Sequence, residues 1–428
     1  MMGRGKKGRW MTTTTQPKGD ATGPQAARPF RRRVFYIPGY DPFHPRRYRE
    51  LYRKEGAAQA AIAGYTLDLT PKKAKGSYGW RVATTMDRQA TVADVEVLVW
   101  SDIVRGSMNP SIAQTYLSLL RTAWAYVGTG ALFRLMQLRK GPIIAALYPI
   151  AMLLAQAVIA GLAGWAAAAL LLRVLPDVAG LWALALVAGL GVAVGMLRWW
   201  RAQDRRFMAY YLMHDYAYSA RTKGANPPEL EVRMAGFTRA VADALRGDYD
   251  EVLVVGHSSG AHIAVSVLSD LIRAGLPTQR PALAFLSLGQ VVPMVSFLPN
   301  ADRLRADLHF LAAREELTWV DVTAPGDGCA FALCDPVSVS GCAPEGKRWP
   351  LVISAAFSQS LSPARWKELR WRFFRLHFQY LCAFDRPRDY DYFRITAGPM
   401  PLSRRYAGRA PSKSRIDRTV SGYVSRLA

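Results

Sequence analysis

The chain has 428 residues, a formal charge of +24 and a residue content that is half hydrophobic. That length supports a large core, and the apolar content excludes a mainly disordered protein. The excess of lysine and arginine, heaviest at the two ends, points to a polyanionic neighbour, either nucleic acid or an anionic membrane surface.

Residues 1 to about 32 are rich in Gly, Lys, Arg, Thr and Pro and read as a disordered basic arm. Met1 to Arg33 lacks the apolar core of a secretory signal, so none is expected. Near a bilayer each basic residue adds about 1 kcal/mol of attraction to anionic lipid. Arg33 to Tyr40 reads as a strand ending in a glycine-containing loop, and residues 45 to 63 have helical spacing. Trp80 to Thr85 and Val95 to Trp100 read as further strands, and residues 108 to 138 as a helical approach to a membrane.

Two apolar runs follow, Ile143 to Leu172 and Val178 to Leu197, each long enough to cross a bilayer at about 20 residues per span. Only Arg173 to Asp177 joins them, with Pro176 to break the helix, so an antiparallel hairpin is expected over 141–200. Arg134, Arg139 and Lys140 precede it, and Arg198, Arg201, Arg205 and Arg206 follow it. The positive-inside rule then places both flanks and both termini in the cytoplasm, with Trp199 and Trp200 at the interface. Gly191 with Gly195, and Ala157 with Gly161, form small-residue pairs that suit packing within the hairpin or between two chains. The spans carry no charge to line a pathway, which disfavours a transporter or channel.

Beyond the hairpin, residues 204 to 222 and 229 to 246 read as helices. Val252 to Gly260 is a buried strand running into Gly256-His257-Ser258-Ser259-Gly260, followed by an apolar helix to Asp270. Ala282 to Leu288 and Leu317 to Thr323 are strands, with a helix at 301–313 between them. Alternating apolar strands and helices give an α/β fold, a mostly parallel sheet covered by helices on both faces. Cys329, Cys334, Cys342 and Cys382 lack disulfide-scaffold density and zinc spacing, and read as reduced thiols. No metal or cofactor is called for. About the last 25 residues, with Arg404, Arg405, Arg409, Lys413 and Arg415, read as a second basic tail.

The pattern G-x-S-x-G between a β-branched strand and an apolar helix is what a nucleophile elbow needs, because the flanking glycines let the backbone turn sharply and lift Ser258 from the sheet. A serine hydroxyl requires a base. Of His44, His214, His257, His262, His309 and His377, only His377 lies beyond both the elbow and the acids that follow Leu317–Thr323. For the acid, Asp327 sits in the loop after that strand, where catalytic groups of open α/β sheets collect; Asp335 and Asp321 are alternatives. Oxyanion donors are expected from the Ser259 backbone N–H and from the Gly39–Tyr40 loop.

Taken together these residues resemble the α/β-hydrolase superfamily, particularly its serine esterases and lipases. The resemblance spans most of residues 33 to 400, as two parts (33–140 and 201–400) separated by the hairpin. It implies a Ser258–His377–Asp327 hydrolase cleaving an ester, lipid or acyl thioester through an acyl-enzyme, without cofactor. His377 departs from the family pattern, since its surroundings, Trp371 to Leu381, hold no glycine-rich loop and could pass for an amphipathic helix or strand. Expected partners are the bilayer, with anionic lipids, and an ester or acyl substrate; nucleic acid rests on charge alone and is not expected. The alternative is a catalytically inactive hydrolase-fold scaffold at the membrane.

Overall fold

The computed structural model describes residues 28–72, 77–108, 110–176 and 179–427. Residues 1–27 of the expected disordered arm (1–32) therefore lie outside the described residues, as do Asp177 and Val178 of the expected hairpin turn and second span.

Eight strands form one sheet: β1 (Phe30–Ile37), β2 (Thr66–Pro71), β3 (Gly79–Met86), β4 (Gln89–Val97), β5 (Glu251–His257), β6 (Ala282–Leu288), β7 (Leu317–Thr323) and β8 (Leu351–Ser354). Their order is β2-β3-β4-β1-β5-β6-β7-β8. The five pairings from β4 to β8 are parallel, whereas β2, β3 and β4 form an antiparallel edge. Every residue of β5 is buried, as its unbroken apolar run requires of a central parallel strand. β3 instead alternates buried and exposed positions, the signature of a strand with one solvated face.

Alternation sorts the two cores. Val34 and Tyr36 of β1 with Leu253 and Val255 of β5 face one side, against the helix Arg46–Ala63 and residues late in the chain. Phe35, Ile37, Val252 and Val254 face the other, under the helices Pro228–Ala244, Gly260–Arg273 and Asp302–Ala312. β1 leads outward to one edge of the sheet and β5 to the other. The carboxyl ends of these neighbouring strands are thus the topological switch point, where open sheets place ligands.

Two helices, Lys140–Val174 and Leu181–Ala202, are long and apolar enough to cross a membrane. They pack backbone to backbone at Gly164 and Gly189, where a Cβ on either would lie 2.5 Å from the other's carbonyl oxygen. Gly161, Gly191 and Gly195 face open space, so the small-residue pairs read from sequence do not make this contact. Large apolar side chains such as Trp165, Trp182 and Leu186 are left exposed along the pair.

Two expectations at the chain ends need correction. Arg32, assigned to the basic arm, is a fully buried residue of β1, paired with Glu251 at 2.5 Å. The basic C-terminal segment is docked rather than free. Ile416 bridges to Cys334, Val420 is buried with its carbonyl accepting from Arg134, and the Ser425 carbonyl accepts from the buried Arg305. Its charges misled because backbone carbonyls and the apolar side chain of Val420 help dock it, and one of its arginines, Arg409, is itself paired with Asp389 at 2.7 Å.

Candidate active site

The turn out of β5 is a tightly constrained piece of backbone. Ser258 adopts φ +56°, a left-handed conformation that non-glycine residues rarely hold. It persists because its surroundings leave no alternative. The Ser258 N–H donates to the Leu288 carbonyl at 2.9 Å, and a Cβ at Gly256 would meet Ala261 Cα at 2.7 Å. At Gly260 a Cβ would fall 2.1 Å from the Ile37 carbonyl oxygen, so only glycine lets the helix Gly260–Arg273 start against the end of β1.

The register pairs Ile37 with Gly256, which draws the following Pro38–Tyr40 loop alongside Ser258. A Cβ on Gly39 would lie 2.9 Å from Ser258 Cβ and 3.3 Å from its Oγ. The loop's carbonyls are turned away and held: Trp100 Nε1 donates to Pro38 O at 2.9 Å and Tyr211 Oη to Tyr40 O at 2.6 Å. Peptide planarity then turns the Gly39 N–H opposite to the Pro38 carbonyl. Among the described residues the backbone N–H groups of Gly39, Tyr40 and Ser259 have no acceptor, and all three residues line one cavity with Ser258.

Asp327 follows β7 and is braced from three directions. Its Oδ1 accepts from the Cys329 N–H at 2.9 Å; its Oδ2 accepts from Tyr380 Oη at 3.0 Å and faces His377 Nδ1 at 2.7 Å. Tyr380 Oη in turn accepts from the Ala324 N–H at 2.9 Å. With Nδ1 engaged by the carboxylate, Nε2 is the ring nitrogen left to take a proton. His377 closes the one-turn helix Phe373–His377 and lines the same cavity as Ser258. The structure therefore brings Ser258, Asp327, His377, Ser259, Gly39 and Tyr40 into one place. The Ser258–His377 hydrogen bond is not made here: among the described residues neither Ser258 Oγ nor His377 Nε2 has a partner.

The alternative acids are elsewhere engaged. Asp335 caps the short helix Pro336–Val339 through the Val337 and Ser338 N–H groups and pairs with Lys347. Asp321 is buried inside β7 and bonded to Ser287 Oγ; burial pushes its carboxyl up to about 8. Of the six histidines, only His257 and His377 line the cavity.

Three residues were not legible as part of this site. Tyr380 supports Asp327, as described. His257 packs beside His377, the rings tilted by 35° with centroids 4.8 Å apart, and its Nε2 donates to the His377 carbonyl at 3.0 Å. Burial, then the neighbouring imidazole, lowers it to about 3, so it is a neutral brace. Asp215, on the helix Ala209–Ala220, lines the cavity without a hydrogen-bond partner among the described residues, and burial raises its carboxyl to about 7. Nothing local marks Tyr380 or Asp215 in sequence; each is a helical residue recruited by tertiary packing.

Asp327, Cys329 and His377 present three donor atoms within 4.8 Å of one another, the spacing of a metal site. Their chemistry suits a proton better. The carboxylate and imidazole already satisfy each other, and burial raises the Cys329 thiol well above its ordinary value, away from the thiolate a metal needs. No family model matches the chain, and neither curated proteins nor solved structures yield a significant match.

Proposed function

We propose that the protein is a membrane-anchored serine hydrolase that cleaves an ester through an acyl-enzyme. The observation that carries this reading is a serine held at φ +56° in the same cavity as a hydrogen-bonded Asp327–His377 pair. Backbone strain of this kind persists where the surroundings over-determine it, and it concentrates at active sites.

Ser258 Oγ attacks the ester carbonyl carbon as His377 Nε2 takes its proton, and the carbonyl π electrons move onto oxygen. The N–H groups of Ser259, Gly39 and Tyr40 receive the oxyanion; that of Ser259 also lies at the positive end of a helix. Collapse breaks the ester C–O bond and returns the proton to the leaving alcohol. Water, deprotonated by the same nitrogen, then releases the acid and restores Ser258. Asp327 fixes the imidazole tautomer and stabilises its charged form, while Tyr380 and His257 hold that pair in place. The serine-to-imidazole contact, open here, is one that commonly closes only when substrate is bound.

The exposed apolar surface of the two long helices, with arginine at their outer flanks, supports seating the hairpin in a bilayer with the body on the cytoplasmic side. Hydrolysis of p-nitrophenyl esters by the detergent-purified protein tests the reading. Ser258→Ala and His377→Ala should each lower kcat by about 10³-fold or more. Equal turnover by wild type and Ser258→Ala would leave a scaffold at the membrane as the better account.

A further inference from the structure

The catalytic cavity is not closed off from the hairpin. Pro142, in the first turn of the helix Lys140–Val174, lines it directly. The next residue, Ile143, lines a second chamber of about 210 Å³ whose walls are almost wholly apolar. The two spaces share Tyr126, Tyr216 and Met294 as a partition, so a single layer of side chains separates them. Tyr126 Oη donates to the Met294 carbonyl at 2.9 Å, which leaves the partition without an unpaired hydroxyl at that point.

The far wall belongs to the membrane helix. Ile143, Ala146 and Ile150 all face the chamber, and at 1.5 Å per residue they lie within about the first 15 Å of that helix. Its base is fixed to the acid loop. A Cβ on Gly141 would meet Gly328 Cα at 3.0 Å, one residue from Asp327, and Arg139 Nε donates to Ala332 O at 2.8 Å. The hairpin thus enters the body at the catalytic acid.

We propose that the base of the hairpin is a wall of the substrate site, and that the chamber behind the partition holds the acyl chain of a neutral lipid ester taken from the bilayer. The proposal rests on the hydrolase reading and adds its substrate class. An apolar space of this kind gains from a hydrocarbon chain at about 0.8 kcal/mol per methylene that it buries. The charge of the cavity argues for neutrality. The chain carries 56 lysines and arginines, yet among the described residues none lines the catalytic cavity, whose charged wall residues outside the Asp327–His377 pair are Asp41 and Asp215. Asp41 is paired with Arg47 and Tyr48, and Asp215 has no partner among the described residues. A phosphate beside the scissile ester would meet these carboxylates, and the guanidinium that reaches this wall, Arg47, is already engaged by Asp41 and lies over the Phe378 ring.

The test uses the full chain in amphipol and reads the ratio of kcat/KM for p-nitrophenyl decanoate to that for the acetate. Ala146→Phe fills the chamber and should lower this ratio about tenfold or more, while Ile150→Ala enlarges it and should shift the preference to longer chains. Leu186→Ala, on the exposed face of the second helix, should leave the ratio as in wild type. A second arm needs no turnover: Ser258→Ala protein should bind an uncharged fluorescent ester of decanoate, and adding Ala146→Phe should abolish that binding. Unchanged ratios in both chamber variants, or decanoate-ester binding indifferent to Ala146→Phe, would overturn the proposal. Decanoate-ester binding that Ala146→Phe abolishes, in a protein that hydrolyses no ester, would uphold the chamber and sink the hydrolase reading instead.

Discussion

Tyr380→Phe removes one oxygen and with it two buried hydrogen bonds, the donation to Asp327 Oδ2 at 3.0 Å and the acceptance from the Ala324 N–H at 2.9 Å. The first has a charged acceptor and the second leaves a buried donor unpaired, so the loss of stability should be about 2–4 kcal/mol. A merely structural tyrosine would do no more than that. If Asp327 works through its grip on His377, loosening it also misplaces the imidazole, and kcat should fall about 10- to 100-fold with KM little changed. Urea denaturation and ester kinetics on the same preparation separate the two effects. A variant destabilised as expected but with kcat/KM within about twofold of wild type would refute the role given to Asp327.

Asp215→Asn tests the unpaired cavity carboxyl through pH. Its folded pKa is raised from 3.8 to about 7 by burial, so the neutral acid is the favoured form in the fold. The stabilisation this lends the wild type is complete below about pH 4 and gone above about pH 7. Stability of the Asn variant relative to wild type should therefore rise from pH 4 to pH 8. The rise is bounded at about 4 kcal/mol and is less where water screens the cavity; a flat difference in urea midpoints would contradict the burial argument. Gly260→Ala should yield no folded protein, since its Cβ would sit 2.1 Å from Ile37 O. Gly161→Ala, which meets nothing within 4 Å, should be tolerated, and size-exclusion profiles of the two variants make the comparison. Deleting residues 419–428 should lower Tm by several degrees, because Arg305 loses the Ser425 carbonyl and Arg134 loses that of Val420; an unchanged Tm would mean the segment is not docked.

Much of this architecture was legible because it is written in local pattern. The unbroken apolar run of β5, the glycines around Ser258 and the helical spacing of Glu229 to Arg246 each express a single dominant constraint. β2 and β8 escaped for opposite reasons. β2 is an exposed edge strand ending at Pro71 with little apolar content, and β8 is only four residues long. The placing of Asp327 against His377 followed from chain order, since loops after successive parallel strands open on the same side of the sheet. No such rule reaches Tyr380 or Asp215, whose positions depend on how distant helices pack, and His257, placed at the end of β5, gains its role only from the His377 segment that packs on it. The C-terminal segment shows the limit of composition: its arginines suggested a solvated tail, while Ile416 and Val420 tether it to the body.

The claim on which the account rests is that His377 activates the Ser258 hydroxyl, and labelling with a fluorophosphonate followed by peptide mapping measures it directly. Wild type should carry the phosphonyl adduct on Ser258, Ser258→Ala should carry none, and His377→Ala should label about 10³-fold more slowly. An adduct on another residue, or labelling of Ser258 at the same rate with and without the His377 imidazole, would contradict it.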